Sequence, residues 1–177
     1  TLLDLSAPII NAESFWNNGY NGSNIIVCVI DTGVNKSNPA LSSRVIGEKD
    51  FVTTDSDGDN PADYNGHGTH VAGIIASTDP TYMGVAFGAN ILNAKVFSST
   101  TDKASTTDII LGIDWCISQG ANVLTLSLGG KDEINDGSDS LSQYADFAVD
   151  QGKIVTIAAG NSGPSGGSSD CRTSSDS

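Results

Sequence analysis

Ile25-Ile26-Val27-Cys28-Val29-Ile30-Asp31-Thr32-Gly33 is a continuous apolar run, rich in β-branched side chains, that stops at a carboxylate and a turn. A short run with no polar alternation predicts a strand buried on both faces, as in the interior of a parallel sheet. Outward from it, Ile91 to Phe97, Asn122 to Ser127 and Ile154 to Ala159 read as three further strands. Helical patterns separate them. His67 to Ala76 carries apolar or small side chains at 71, 72, 74 and 75. Thr106 to Gln119 carries Ile109, Ile110, Ile113, Cys116 and Ile117 at helical spacing, with Gly120 as its stop. Ser140 to Gln151 carries Leu141, Tyr144, Ala145, Ala148 and Val149 on one side, with Gly152 as its stop. Residues 11–20 read as a short opening helix ended by Gly19, and Asn21-Gly22 as a turn.

Strand and helix in alternation predict an α/β fold with right-handed crossovers on a mostly parallel sheet. Ligands of such sheets bind beyond the carboxyl ends of the strands. Three distinctive segments fall at that edge. Asp31 ends the first strand, Ser127-Leu128-Gly129-Gly130 follows the third, and Gly160-Asn161 follows the fourth. The Ser/Gly-rich stretch from Ser162 to Ser177 reads as loop, the sort of segment where proteolytic nicking concentrates.

The 177 residues suffice for one compact domain with a core. The formal net charge of -13 makes nucleic acid and anionic membrane surfaces poor partners. No run approaches the roughly 18 apolar residues of a membrane span. The cysteines are three and widely spaced. Cys28, inside a strand, and Cys116, inside a helix, are expected to be buried small hydrophobes rather than disulfide partners, while Cys171 in the Ser/Gly-rich tail is free to pair elsewhere.

The strand ends carry the chemistry. A serine hydroxyl is a weak nucleophile near neutral pH and needs a base, which in turn needs an orienting acid. His67, in Asn65-Gly66-His67-Gly68-Thr69-His70-Val71-Ala72-Gly73, has the side chain suited to the base. Asp31 is suited to the orienter. Gly66 and Gly68 flank the histidine, which is expected to let a substrate backbone approach. Asn161, in Ala158-Ala159-Gly160-Asn161-Ser162-Gly163, offers an amide to a developing oxyanion.

In this order the motifs resemble those of the subtilisin-like serine proteases, the subtilases. The resemblance implies a three-layer αβα fold, subtilisin-like and incomplete, with residues 1–177 as the N-terminal part of a single peptidase domain. It implies Asp31 and His67 as triad members and Asn161 as the oxyanion-hole residue. Ser127, Leu128 and Gly129 resemble the segment that pairs with an extended peptide substrate. Ala158, Ala159 and Gly160 resemble one wall of the primary specificity pocket. His70 is similar to a buried, non-catalytic position of the motif. Asn11-Ala12 and Trp16 match the family's opening helix. The Gly-Thr-Ser-Met-Ala segment that carries the family's nucleophile is not in these residues. The implied activity is therefore a secreted serine endopeptidase whose serine lies on a missing or separate C-terminal fragment, so that this chain alone is inactive. The implied partners are a polypeptide substrate and that fragment.

Acidic residues crowd the stretch before the histidine: Asp50, Asp55, Asp57, Asp59 and Asp63. Asp55-Ser56-Asp57-Gly58-Asp59 has the alternating carboxylates a hard cation takes from a loop, and several subtilases bind calcium here. Structural calcium held by Asp50, Asp55, Asp57 and Asp59 is thus expected, with no catalytic metal. A second family calcium site is not expected. Asn38-Pro39-Ala40-Leu41 lacks the family's aspartate, and the Ser77 to Met83 loop is short.

Other readings compete. A catalytically inactive binding or scaffold protein on the same fold would have no need of Asp31, His67 and Asn161 together. An aspartic protease also uses Asp-Thr-Gly, but needs two copies on an all-β fold. A zinc hydrolase would show His-Glu-x-x-His, which His67-Gly68-Thr69-His70 does not.

Overall fold

The computed structural model describes residues 3–130 and 136–161. The expectations for Cys171 and for nicking between Ser162 and Ser177 lie outside the described residues. Ten elements follow one another: α1 (Leu3–Ile9), α2 (Ala12–Asn17), β1 (Ile26–Asp31), β2 (Val45–Asp50), α3 (His67–Ala76), β3 (Asn90–Lys95), α4 (Thr106–Ser118), β4 (Val123–Leu126), α5 (Ser140–Asp150) and β5 (Ile154–Ile157). The five strands form one sheet in the order β2-β3-β1-β4-β5, and every pairing is parallel.

The strand that decides the fold from sequence is also its centre. β1 pairs with β3 on one side and β4 on the other, and its last five residues are buried. The two sheet faces receive different helices. Cys28 and Ile30 of β1 pack with Leu92 and Ala94 of β3, Val96 just beyond it, Ile109 and Ile113 of α4, and Ala148 of α5. Val27 and Val29 point the other way, to Ala72 and Ala76 of α3 and to Val34 and Leu41. This is the three-layer αβα arrangement, and the period-two alternation of β1 distributes its side chains between the layers.

Caps explain where the helices start. Ser105 accepts from the Asp108 N–H at the head of α4, and Asp139 accepts from the Leu141 and Ser142 N–H groups at the head of α5. Trp16 of α2 donates its indole N–H to the Val85 carbonyl at 2.9 Å and stacks edgewise on Phe87.

Two sequence expectations are corrected here. Among the described residues the sheet has five strands rather than four. β2 escapes notice because it is an edge strand whose second half, Gly47-Glu48-Lys49-Asp50, is small or charged and only partly buried. The cysteines also differ from expectation: Cys28 and Cys116 form a disulfide across 88 residues, and both are fully buried. Nothing local announces it, because packing of α4 against β1 brings the two together. A cross-link closing a loop of that length stabilises on the order of 4–5 kcal/mol in the chain-entropy account.

Candidate active site

Asp31 ends the central strand, and the chain builds β2 and β3 on one side of it before building β4 and β5 on the other. Loops therefore diverge at this strand end, the usual position of a ligand crevice. Asp31 is buried, whereas the His67 side chain is about half exposed. His67 Nδ1 lies 2.7 Å from Asp31 Oδ1, which also accepts the Thr32 N–H at 2.7 Å. A carboxylate only accepts, so the Nδ1 position carries the proton and the Nε2 lone pair is left for another donor.

His67 reaches Asp31 because α3 begins against the end of β1. Gly68, the second residue of α3, is buried there. A Cβ at this position would collide with the Gly33 carbonyl and press on the Asp31 side chain. The two glycines that flank His67 thus stand in different surroundings. Gly68 makes room for the strand end, and Gly66 adopts a φ of 98° at the head of α3 with open space around it. His70 is likewise exposed rather than buried.

A second carboxylate, one of the acids crowding the stretch before His67, holds this junction together. Asp63 Oδ1 accepts from the Thr32 hydroxyl at 2.9 Å, the Asn65 N–H at 3.0 Å and the Gly66 N–H at 2.8 Å. Its Oδ2 accepts from the Thr69 N–H at 2.9 Å and the Thr69 hydroxyl at 2.5 Å. The Thr32 hydroxyl oxygen in turn accepts the Gly68 N–H at 3.0 Å. One side chain therefore ties the residue after Asp31 to the first turn of the helix that carries His67, where a negative charge is favoured. Burial pushes the Asp63 carboxyl up, but the Thr69, Gly66 and Thr32 donors together outweigh it and hold it below the ordinary value. An Asp followed three to six residues later by Gly and Thr donors at a helix start is the available signal.

A cleft of about 280 Å³ opens beside the pair, lined by Thr32, Tyr64, Asn65, Phe97, Ser98, Ser99 and Asp102. Asn65 donates its amide to Asp102 Oδ1 at 3.1 Å across it.

The remaining candidates sit on the other side of the sheet. Ser127, Leu128 and Gly129 leave the carboxyl end of β4. Leu128 turns into the core while Ser127 is half-buried and Gly129 exposed, so this segment offers its backbone. Ala158, Ala159, Gly160 and Asn161 leave β5 and are all exposed. The Ala158 N–H continues the ladder to the Leu126 carbonyl at 3.1 Å, and Gly160 turns the chain with a φ of 88°. All these residues share the strand-end edge with Asp31.

The four acids proposed for calcium do not converge on a common hole. Lys95 ends β3, is fully buried, and donates to Asp50 Oδ2 at 2.6 Å and Asp57 Oδ2 at 2.8 Å, with Asp55 Oδ2 at 3.5 Å. Burial alone would lower the Lys95 ammonium, but Asp50 and Asp57 outweigh it and hold it above the ordinary value. Asp59 stands apart and exposed. Among the described residues, no group of three or more His, Cys, Asp or Glu is arranged to hold a metal ion. Three of the four acids expected to hold calcium, Asp50, Asp55 and Asp57, thus surround an ammonium.

Comparison with known proteins agrees with this geometry. The family model described as "Subtilase family" matches residues 22–176. The chain is 40% identical over 160 residues to the major intracellular serine protease of Bacillus subtilis, covering 88% of the chain and 48% of that protein. It is 40% identical over 161 residues to subtilisin DY of Bacillus licheniformis, covering 90% and 55%, and 41% identical over 163 residues to subtilisin E of Bacillus subtilis, covering 90% and 40%. The chain thus spans about half the length, or less, of these relatives.

Proposed function

The chain belongs to the subtilase family, and from that premise we propose that it supplies the acid–base half of a serine endopeptidase. The observation that carries the reading is the 2.7 Å contact of His67 Nδ1 with the buried Asp31 carboxylate at the end of the central strand. Asp31 fixes the tautomer of His67. Nε2 then takes the proton from a serine hydroxyl as its oxygen bonds to the scissile carbonyl carbon. The same proton passes to the leaving amine as the C–N bond breaks, and a water deprotonated by His67 releases the acyl group by the reverse route.

Asn161 donates to the carbonyl oxygen as it becomes negative. Interactions of this kind are worth about 3–4 kcal/mol, a figure that comes from a member of the subtilase family. The backbone of Ser127-Leu128-Gly129 pairs with the extended substrate, and Ala158-Ala159-Gly160 borders the side chain at the cleavage site. The serine is supplied by a C-terminal part of the domain, so this chain alone does not turn over substrate. The exposed Ile154 and Ile157 of the edge strand β5 support that reading, since they offer an apolar edge to further chain. The relatives' greater length supports it too. Secretion is supported by the buried Cys28–Cys116 disulfide, which persists in oxidising compartments.

The test is fluorophosphonate labelling of the full-length protein and of a His67→Ala variant. The reading expects covalent labelling at a serine outside these 177 residues, lost in the variant. An unlabelled full-length protein would leave only a non-catalytic scaffold on this fold.

A further inference from the structure

The loop between β2 and α3 delivers His67 to Asp31, and its acids recommended it as a cation site. We propose that the cation closing this loop is Lys95 of the chain itself, and that the loop takes no calcium. The two strands flanking the site meet at this lysine. Its Cα is in register with Asp31 on β1 and with Asp50 on β2. Its ammonium gathers carboxylates from the end of β2 (Asp50) and from two turns of the loop (Asp55 and Asp57). All four side chains are more than nine-tenths buried. The cluster is a folded interior, unlike a solvated acidic face, and an ammonium with three donors matches three carboxylate oxygens.

An oxygen count separates the ammonium from the metal. Calcium takes six to eight oxygens at about 2.3–2.6 Å. Oδ2 of Asp50, Asp55 and Asp57 faces Lys95. Asp50 Oδ1 accepts the Val52 N–H, and Asp55 Oδ2 also accepts the Ser99 N–H and hydroxyl. That leaves Asp55 Oδ1 and Asp57 Oδ1 buried without a hydrogen-bond partner in the structure. Two carboxylate oxygens beside a fixed positive charge are a poor calcium site. Removing the ammonium frees Asp50 Oδ2 and Asp57 Oδ2, while Asp55 Oδ2 keeps its Ser99 donors, so four buried carboxylate oxygens would stand without a donor. Lys95 is therefore what makes the loop independent of calcium, and its loss should create the site expected from the alternating carboxylates.

The experiment is calcium stoichiometry and thermal melting of the EDTA-stripped full-length protein, its Asp57→Asn and Asp55→Asn variants, and Lys95→Met, each titrated with calcium chloride. Calcium bound elsewhere in the protein is common to all of them. Expected are the parent's stoichiometry and calcium-induced Tm shift in both aspartate variants. Lys95→Met is expected to bind one further calcium and to gain about 5 °C when calcium is in large excess over its Kd. One calcium fewer in Asp57→Asn or Asp55→Asn than in the parent overturns the proposal, as does a folded Lys95→Met that gains none. If Lys95→Met does not fold, the stoichiometry of the aspartate variants decides alone.

Discussion

The two sides of the sheet's carboxyl edge are built differently. On the β1–α3 side, Asp31, Thr32, Asp63, Gly66, Gly68 and Thr69 form a closed set of hydrogen bonds around the His67 backbone. On the β4–β5 side, Gly129, Ala159, Gly160 and Asn161 are exposed, and among the described residues β5 has one strand neighbour. The His67–Asp31 pair is held by hydrogen bonds from residues close to it in this chain. The side proposed to bind the oxyanion and substrate has its backbone path set by β4 and β5 but lacks covering contacts among the described residues. Preorganisation lowers reorganisation during the reaction, and here only one side has it from local contacts.

That contrast can be broken in four places. The largest effect concerns the open side. The isolated 177 residues, with Ile154, Ile157 and Phe147 exposed, are expected to lack a cooperative, monomeric thermal melt by circular dichroism. A cooperative melt of the unaided monomer would show that the open side needs no cover. Next, Asn161→Ala in the full-length protein should lower kcat by about 10²–10³ while leaving Tm unchanged. An unaltered kcat would remove Asn161 from the oxyanion site.

On the closed side, Gly68→Ala should force α3 away from the Gly33 carbonyl. The expected result is a kcat reduced by about 10², together with a lowered Tm, since small displacements of a base are costly. Retention of both would mean that the junction yields easily. The smallest effect is acid-dependent. Asp63 is held below its ordinary value, so its contribution is complete above the unfolded value near 4 and is lost as pH falls through the folded one. Asp63→Asn should therefore be less stable than the parent by about 1–2 kcal/mol at neutral pH. In melts across the acid range the gap should close as pH falls below the ordinary carboxylate value and through the lowered folded one. A gap that does not change with pH would mean that the carboxylate charge is not what holds the junction.

Much of the fold was legible because burial and helix periodicity are local signals. α3 runs from His67 to Ala76 as its pattern predicts, and α4 and α5 end within a residue or so of the expected stops. β1 was unmistakable because every side chain in it is apolar up to Asp31. β2 was not, because an edge strand with one partner tolerates Glu48 and Lys49 at its surface. Asp31 and His67 were legible because each closes or opens an element whose position in the sheet is implied by the alternation.

The acids before His67 show where reading stops. Asp55-Ser56-Asp57 looks the same in sequence whether it faces a metal, water or an ammonium. The choice was made by Lys95, about forty residues away, whose position at the end of β3 depends on the register of β3 against β2. The Cys28–Cys116 disulfide and the collision that reserves position 68 for glycine have the same character. Sequence by itself determined the parallel α/β layering and the residue types at its catalytic edge, since hydrophobic periodicity and turn chemistry act over a few residues. Only the tertiary structure decided which charges meet, which cysteines pair and which oxygens Asp63 and Lys95 hold. Those contacts join segments that become neighbours only when strands pair and helices pack on them.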